Sequence, residues 1–183
     1  MIYQLSLQTT GLAVGLLLVL SHALGLIKPS ASIHFARAFP RSRVAGTVLL
    51  LLAAVWSFLL VTDIDLGEFS RLRSLMLFGI VVGAVLSWLY VEEFLAVRAL
   101  GMLLLLASEP LLESCALRPE ESRLLLVSLA YAWVIAGLFF VGMPYLMRDG
   151  IKLLTAKKQI WLLAALGGLL YGAVLMTAAL IWW

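Results

Sequence analysis

The stretch 124–142, LLLVSLAYAWVIAGLFFVG, decides the fold class. It contains no charged residue, and its apolar character continues to Met147, just before Arg148. A helix needs about 20 apolar residues to cross the hydrocarbon core of a bilayer. Because lipid offers the backbone no hydrogen bonds, an unbroken apolar run of this length is typical of a transmembrane helix. The sequence predicts such a helix over 124–147.

The composition of the whole chain agrees with this prediction. Of the 183 residues, 64% are hydrophobic and 13% are charged, and the mean hydropathy is +1.11. A soluble domain is about half apolar and about one quarter charged. The chain has more apolar surface than an aqueous core could bury. We interpret it as an all-α integral membrane protein without room for a soluble catalytic domain.

Hydropathy along the chain predicts a single domain, a bundle of six transmembrane helices. The predicted spans cover 9–27, 44–62, 74–90, 94–112, 124–147 and 160–183. Turn signals such as Pro29 separate most of them, whereas the third and fourth spans require a tight hairpin at Val91. Residues 1–10 contain no Lys or Arg, so the basic region of a secretory signal is missing and we expect the first span to be retained.

The charged residues predict the orientation of the bundle. Most bases lie in the connections after the first, third and fifth spans, namely Lys28, Arg37, Arg41, Arg43, Arg98, Arg148, Lys152, Lys157 and Lys158. The other two connections contain Arg71, Arg73, Arg118 and Arg123 beside a larger number of acids, namely Asp63, Asp65, Glu68, Glu109, Glu113, Glu120 and Glu121. Because basic connections remain in the cytoplasm, we expect both termini on the outer, periplasmic side of a bacterial inner membrane.

The segment 30–43 is basic and amphipathic. Its apolar residues lie among His34 and several arginines, which is typical of a helix on the membrane surface. The apolar residues are Ile33, Phe35 and Phe39, and the arginines are Arg37, Arg41 and Arg43. One interpretation is a docking site for a protein partner or an anionic lipid. The other, which we favour, is an ordinary cytoplasmic anchor.

Small residues recur at helical spacing on four spans, and helices in lipid pack through such faces. They are Gly11 and Gly15 on the first span, Gly79 and Gly83 on the third, Ser128, Ala132 and Ala136 on the fifth, and Ala164, Gly168 and Gly172 on the sixth. We favour packing within the chain over a subunit interface, because six spans already offer internal partners.

Two of these stretches resemble each other: GIVVGAVL at 79–86 and GLLYGAVL at 168–175. Each lies on the third span of its half, and three spans per half would give the inverted halves of many transporters. The shared letters are the commonest in membrane helices, and the remaining spans show no comparable match. Chance is therefore the favoured explanation.

His22 is the first polar residue within a span that is a functional candidate. It lies near the cytoplasmic end of the first span, where an imidazole can ligate the metal of a haem or chlorophyll or relay a proton. The other histidine, His34, lies in the surface segment, so a bis-histidine haem is hard to build. We favour a packing histidine and predict no bound cofactor.

Arg98 is the second candidate, about one turn into the fourth span. Glu92 and Glu93 precede it by six and five residues and would point away from it, because a salt bridge within one helix needs a spacing of three or four. Another helix, a bent hairpin or lipid must pair with the arginine. Either it reaches the headgroups or clamps a hairpin, which we favour, or it binds a substrate or a lipid headgroup.

Glu109 is the third candidate, next to Pro110, which removes a backbone donor and tends to bend the helix. The acid is either a proton or cation site or, as we favour, a group that reaches outer water beside Glu113. Pro144 is expected to kink the cytoplasmic end of the fifth span, as a fixed bend or as a hinge.

The sequence lacks the motifs of common enzymes and metal sites. It has no Walker loop, no GxSxG, no HExxH and no CxxC, and the acids Asp63, Asp65 and Glu68 lack the later ligands of a calcium loop. Cys115 is alone, so no disulfide forms within the chain. We expect neither enzymatic activity, nor a metal, nor nucleic acid as a partner.

Three functional hypotheses follow. The leading one is a non-catalytic membrane subunit or accessory protein of a larger complex, with lipids and other membrane subunits as partners. The alternative is a small transporter or channel-like protein with inverted halves, using Arg98 and Glu109. The third is a pigment, haem or quinone-binding protein that uses His22.

Overall fold

The computed structural model describes Tyr3, residues 5–91 and residues 93–183, and no β-strand occurs in these residues. The helices are α1 (Leu7–Ile27), α2 (Pro29–Ala38), α3 (Arg43–Asp63), α4 (Arg73–Tyr90), α5 (Leu95–Cys115), α6 (Arg123–Gly142), α7 (Tyr145–Leu154) and α8 (Lys158–Ile181). Two short 3-10 segments, Phe39–Arg41 and Gly67–Leu72, precede α3 and α4.

Six helices are long and apolar enough to cross a membrane: α1, α3, α4 together with the 3-10 segment before it, α5, α6 and α8. The prediction of an all-α protein with six candidate spans is confirmed, and the arrangement fits a multi-pass helical membrane protein. Serine caps start two of the spans. The Ser6 hydroxyl accepts a hydrogen bond from the Thr9 amide at 3.1 Å, and that of Ser42 accepts one from Ala45 at 3.2 Å.

The fifth predicted span, 124–147, is two helices rather than one. α6 ends at Gly142 and α7 begins at Tyr145. Met143 has φ −129° and ψ 67°, because a proline disfavours the helical conformation for the residue before it. The bend expected at Pro144 is therefore a break in the helix, and the residues after it form a separate short helix.

The body of the bundle consists of α1 packed along α8, and α5 packed along α6 and α3. A core of Leu7, Val14, Leu111, Leu126 and Leu175 joins α1, α5, α6 and α8. α5 contributes to both cores of the bundle and has the largest buried share of the six candidate spans. It is the central helix of the protein.

A smaller core of Leu50, Leu95 and Ala99 joins α3 to α5. α4 lies outside both cores: it has no buried residue, and its extensive contacts are with α3 and with the 3-10 segment that leads into it. α4 is the most exposed of the six candidate spans.

Glycines allow the paired helices to approach closely. A Cβ atom on Gly15 would lie 2.9 Å from the Gly172 carbonyl oxygen, and a Cβ on Gly172 would lie 2.9 Å from the Gly15 carbonyl oxygen. Gly101 of α5 and Gly137 of α6 are related in the same reciprocal way, also at 2.9 Å. Each pair marks a point where the two backbones leave no room for a larger side chain.

Hydrogen bonds between distant residues show which connections share an end of the bundle. Arg37 of α2 reaches Thr155 after α7, and Arg98 near the start of α5 reaches Val141 near the end of α6. The connections with most of the bases therefore lie together. We call this the basic end of the bundle.

The opposite end of the bundle holds Tyr3 and Trp183. The Tyr3 amide donates to a Glu113 carboxylate oxygen at 3.2 Å, and the indole of Trp183 donates to the Ser122 hydroxyl at 2.7 Å. Glu113 and Ser122 lie on either side of the connection between α5 and α6. We call this the terminal end.

Candidate functional site

Two short helices at the basic end, α2 and α7, lie beside each other outside the bundle of long helices. α2 begins with Pro29, whose fixed φ suits the first helical position, and α7 follows Pro144 directly. Neither helix has a buried residue. Phe35 of α2 is 67% exposed and Leu153 of α7 is 72% exposed. Helices that expose both apolar and basic side chains are typical of segments in the plane of a membrane interface.

Arg37 connects the two short helices. Its Nε donates to the Thr155 hydroxyl at 2.9 Å, and its Nη2 donates to the Thr155 carbonyl oxygen at 2.8 Å. Thr155 is buried and caps the C-terminus of α7, where backbone carbonyls lack partners and a positive charge is favourable. Arg37 therefore holds the end of α7 against α2.

A cleft of about 370 Å³ lies between these helices, and we call it the basic cleft. Its lining consists of Arg37, Pro40, Arg41, Arg148, Ile151 and Lys152. Two acids are near these bases: Asp149 Oδ1 lies 2.9 Å from Arg148 Nε and 3.6 Å from Lys152 Nζ, and Glu93 interacts electrostatically with Arg148. The hydrogen bond from Arg148 holds the pKa of the Asp149 carboxyl below its ordinary value. A lowered pKa favours the ionised carboxylate, and the four bases of the cleft outnumber the two acids.

Four arginines share one structural role, because each donates to a carbonyl oxygen at the C-terminal end of another helix. Arg37 does so at α7, Arg73 at α3 through Thr62 at 3.1 Å and Ile64 at 2.8 Å, Arg98 at α6 through Val141 at 3.1 Å, and Arg123 at α5 through Cys115 at 2.9 Å. These arginines are committed to joining helices, whereas Arg41 makes no hydrogen bond with the described residues.

His22 lies where α1 packs on α8. Its Nδ1 is 2.8 Å from the Leu18 carbonyl oxygen, so Nδ1 carries the proton and donates it to that oxygen. The ring occupies the space that Gly168 leaves by having no side chain. His22 also lines a cavity of about 240 Å³, smaller than the roughly 300 to 1,000 Å³ of typical ligand pockets. Within the described residues, this geometry is that of a packing histidine.

Arg98 contacts α6 rather than an acid of its own helix. Its Nη1 reaches the Val141 carbonyl oxygen, which makes it a clamp between the two antiparallel helices. Glu93 instead interacts electrostatically with Arg148, whose guanidinium lies 5.8 Å from the centre of the Phe94 ring. Glu92 lies outside the described residues.

Glu109 lines an open cleft of about 550 Å³ between α5 and α6, on the half of α5 nearer the terminal end. It makes no hydrogen bond or ion pair with the described residues. The neighbouring Ser108 donates to the Leu104 carbonyl oxygen at 2.7 Å, as serines within helices commonly do. α5 continues as one helix through the buried Pro110, so this proline does not end it.

The small-residue faces have different surroundings. Gly11 faces Trp183, and Gly15, Gly168 and Gly172 lie in the interface between α1 and α8. Ser128 lies 3.1 Å from the Tyr171 hydroxyl, where α6 meets α8. The remaining alanines of these faces, Ala132, Ala136 and Ala164, are exposed or half-buried.

The glycines of α4 are exposed. A Cβ atom added to Gly79 or Gly83 would find no atom within 4 Å. The contact between α3 and α4 is made elsewhere, for example by the Trp88 indole, which donates to the Thr47 hydroxyl at 3.2 Å. The Gly79 and Gly83 face of α4 is thus open; we call it the open face.

No three His, Cys, Asp or Glu side chains come together as metal ligands in the described residues. In the acidic loop before α4, the Asp65 carboxylate accepts a hydrogen bond from the Gly67 amide at 3.0 Å. Aspartate side chains commonly stabilise turns in this way. Cys115 is buried with a free thiol.

Comparison of the chain with protein families, with curated proteins and with solved structures finds no match. Its function is therefore inferred from the chemistry of its own surfaces.

The sequence did not predict two features of the structure, namely the composition of the basic cleft and a pair of packing glycines. The basic cleft includes Arg148 and Lys152, which the hydropathy pattern placed only in a connection. The break at Pro144 was the available signal, because Arg148 and Lys152 are four residues apart and a helix starting after this proline places them on one face. The packing glycines Gly101 and Gly137 were also missed, since neither lies in a stripe of glycines four residues apart.

Proposed function

We propose that this protein is a non-catalytic integral membrane subunit or accessory protein of a larger membrane complex. The observation that carries the proposal is the open face of α4. Close packing through small residues drives helix association in lipid, and Gly79 and Gly83 offer this packing with none of the described helices against them. A transmembrane helix of another subunit is the partner that such a face fits.

The proposal also includes an orientation. The clustering of bases at one end of the bundle favours that end in the cytoplasm, with both chain termini outside. Short connections and this charge bias favour a bacterial inner membrane as the location.

The transport alternative gains little from the helix packing. Two inverted halves would pair their helices in equivalent ways. α5 packs extensively along α6, whereas the corresponding pair α1 and α3 has no comparable contact in the described chain. Arg98, one of the two candidate transport residues, is engaged with Val141. The remaining support for transport is Glu109 in its open cleft.

The test is to isolate the full chain, carrying an affinity tag, from its native membrane in mild detergent and to identify co-purifying proteins and their stoichiometry. Two variants are compared with the unmodified chain. Gly83→Leu fills the open face, and Gly167→Leu is the matched control, because a Cβ at Gly167 also finds no atom within 4 Å.

We expect a stoichiometric partner subunit that is lost from Gly83→Leu and retained by Gly167→Leu, with the thermal stability of both variants unchanged. A chain that purifies without a partner contradicts the proposal. If the chain associates only with copies of itself, the open face is a homo-oligomer contact and the larger complex is ruled out. An absorption band from a bound cofactor in the same preparation would favour the third hypothesis, at His22.

A further inference from the structure

The basic cleft differs from an ordinary row of cytoplasmic bases, because its residues come from two separate segments of the chain. Arg37 and Arg41 precede α3, whereas Arg148 and Lys152 follow α6. The paired hydrogen bonds between Arg37 and Thr155 hold these segments together. The cleft is therefore a feature of the folded protein and not of either segment alone.

The backbone on both sides of the cleft is held in place. Pro40 is buried and begins the turn that presents Arg41, and the 3-10 segment around it packs on α5. On the other side, α7 is fixed at its end by Arg37 and at its start by the buried Pro144. Positively charged groups held in such positions lose less conformational freedom when they bind a ligand.

The donors that remain free indicate the chemistry of a ligand. Arg37 uses Nε and Nη2 on Thr155, and Arg148 uses Nε on Asp149, so each guanidinium retains further N–H groups. Arg41 makes no hydrogen bond with the described residues, and Lys152 has one ion pair, to Asp149 at 3.6 Å. Guanidinium groups bind phosphate oxygens through pairs of N–H donors, and a lysine adds a mobile point charge.

We infer that the basic cleft binds the phosphate of an anionic lipid headgroup. The volume of about 370 Å³ lies within the range of small-molecule pockets, and the four bases of its lining outnumber the nearby acids Asp149 and Glu93. The exposed Phe35 and Leu153 on the same two helices favour a lipid over a soluble phosphate, because they place the cleft at the level where headgroups lie. Basic pockets at the cytoplasmic ends of transmembrane helices bind anionic headgroups in this way.

The experiment measures binding of phosphatidylglycerol to the full chain by native mass spectrometry in mild detergent. The double variant Arg41→Gln with Lys152→Gln removes two cleft charges without touching the Arg37 hydrogen bonds. The control, Lys157→Gln with Lys158→Gln, removes two charges from the same end of the bundle but outside the cleft. We expect the apparent affinity to fall about tenfold in the cleft variant and less than about twofold in the control.

A third variant gives an effect of opposite sign, which misfolding cannot produce. Asp149→Asn removes the carboxylate that pairs with Arg148 and Lys152, so phosphatidylglycerol should bind about two- to threefold more tightly. Equal losses in the cleft and control variants would overturn the inference, because they would indicate diffuse surface charge. Unchanged binding in all three variants would overturn it as well.

The source of the phosphate is tested by competition. Inorganic phosphate and zwitterionic phosphatidylcholine are added in separate titrations against bound phosphatidylglycerol. We expect neither to displace it at equal concentration. Displacement by inorganic phosphate would assign the cleft to a soluble phosphate compound and overturn the lipid assignment.

Discussion

α4 and α8 contain eight-residue stretches that are identical at five positions and lie in opposite surroundings. In α8, Gly168 and Gly172 lie against α1, close to the ring of His22 and the backbone of Gly15. In α4, the corresponding Gly79 and Gly83 face no atom of the described chain. Two glycines at the same spacing therefore form a close helix contact in α8 and an open helix face in α4. A small-residue stripe shows that a helix can pack closely, but only the arrangement of its neighbours shows what it packs against.

The largest expected difference in the free energy of unfolding is the one between Gly172→Leu and Gly83→Leu. A Cβ at Gly172 lies 2.9 Å from the Gly15 carbonyl oxygen and 3.0 Å from the Val19 amide, and backbone atoms cannot move aside without separating α1 from α8. We expect the free energy of unfolding to fall by about 3 kcal/mol for Gly172→Leu. For Gly83→Leu it should be unchanged or rise by less than about 1 kcal/mol, because leucine favours helix. Unfolding of both variants in mixed detergent micelles measures the difference, and equal losses would contradict the contrast.

A double-mutant cycle between Gly168 and His22 should give an effect of intermediate size. Gly168→Ala places a methyl group where the His22 ring lies, so we expect a loss of about 1 to 2 kcal/mol in unfolding free energy. When His22→Ala and Gly168→Ala are combined in one chain, the loss of unfolding free energy should be about 1 kcal/mol smaller than the sum of the two single losses. Gly79→Ala, the equivalent change in α4, should have no measurable cost. Additive losses at Gly168 and His22 would show that the ring and the glycine are not in contact.

The smallest expected difference in the free energy of unfolding is between losing an arginine that caps a helix and losing one that does not. Arg98→Gln loses the hydrogen bond to the Val141 carbonyl oxygen and the charge at the end of α6, which should lower the free energy of unfolding by about 1 kcal/mol. Arg118 is exposed and makes no hydrogen bond with the described residues, so Arg118→Gln should change it by less than about 0.3 kcal/mol. The same micelle assay compares the two, and a larger effect at Arg118 would refute the capping role.

Hydropathy was sufficient to predict the long helices, because lipid imposes a minimum length and excludes charge from it. The predicted span 9–27 corresponds to α1 at Leu7–Ile27, and 44–62 corresponds to α3 at Arg43–Asp63. The fifth span was predicted too long, since Tyr145, Leu146 and Met147 are apolar and continue the pattern beyond Pro144. Pro144 disfavours the helical conformation at Met143, so the helix ends there although the sequence remains apolar.

The contacts between helices could not be predicted in the same way. Gly79 and Gly168 have similar neighbours along the chain, and their different environments arise from the order in which the helices pack. The arginine caps were missed for a related reason: the sequence shows that Arg98 needs a partner but not that the end of α6 lies beside it. Tertiary proximity is information that local patterns do not contain.

The pairing of α1 with α8 has a consequence for the biosynthesis of the protein. α1 and α8 are mutual partners, so their interface closes only after all the helices between them in the sequence have been made. Ribosomes add about 5 to 20 residues per second, which leaves α1 without α8 for roughly 8 to 30 seconds. During that interval the glycine face of α1 lacks its partner in the folded protein, and the contact forms only when α8 arrives.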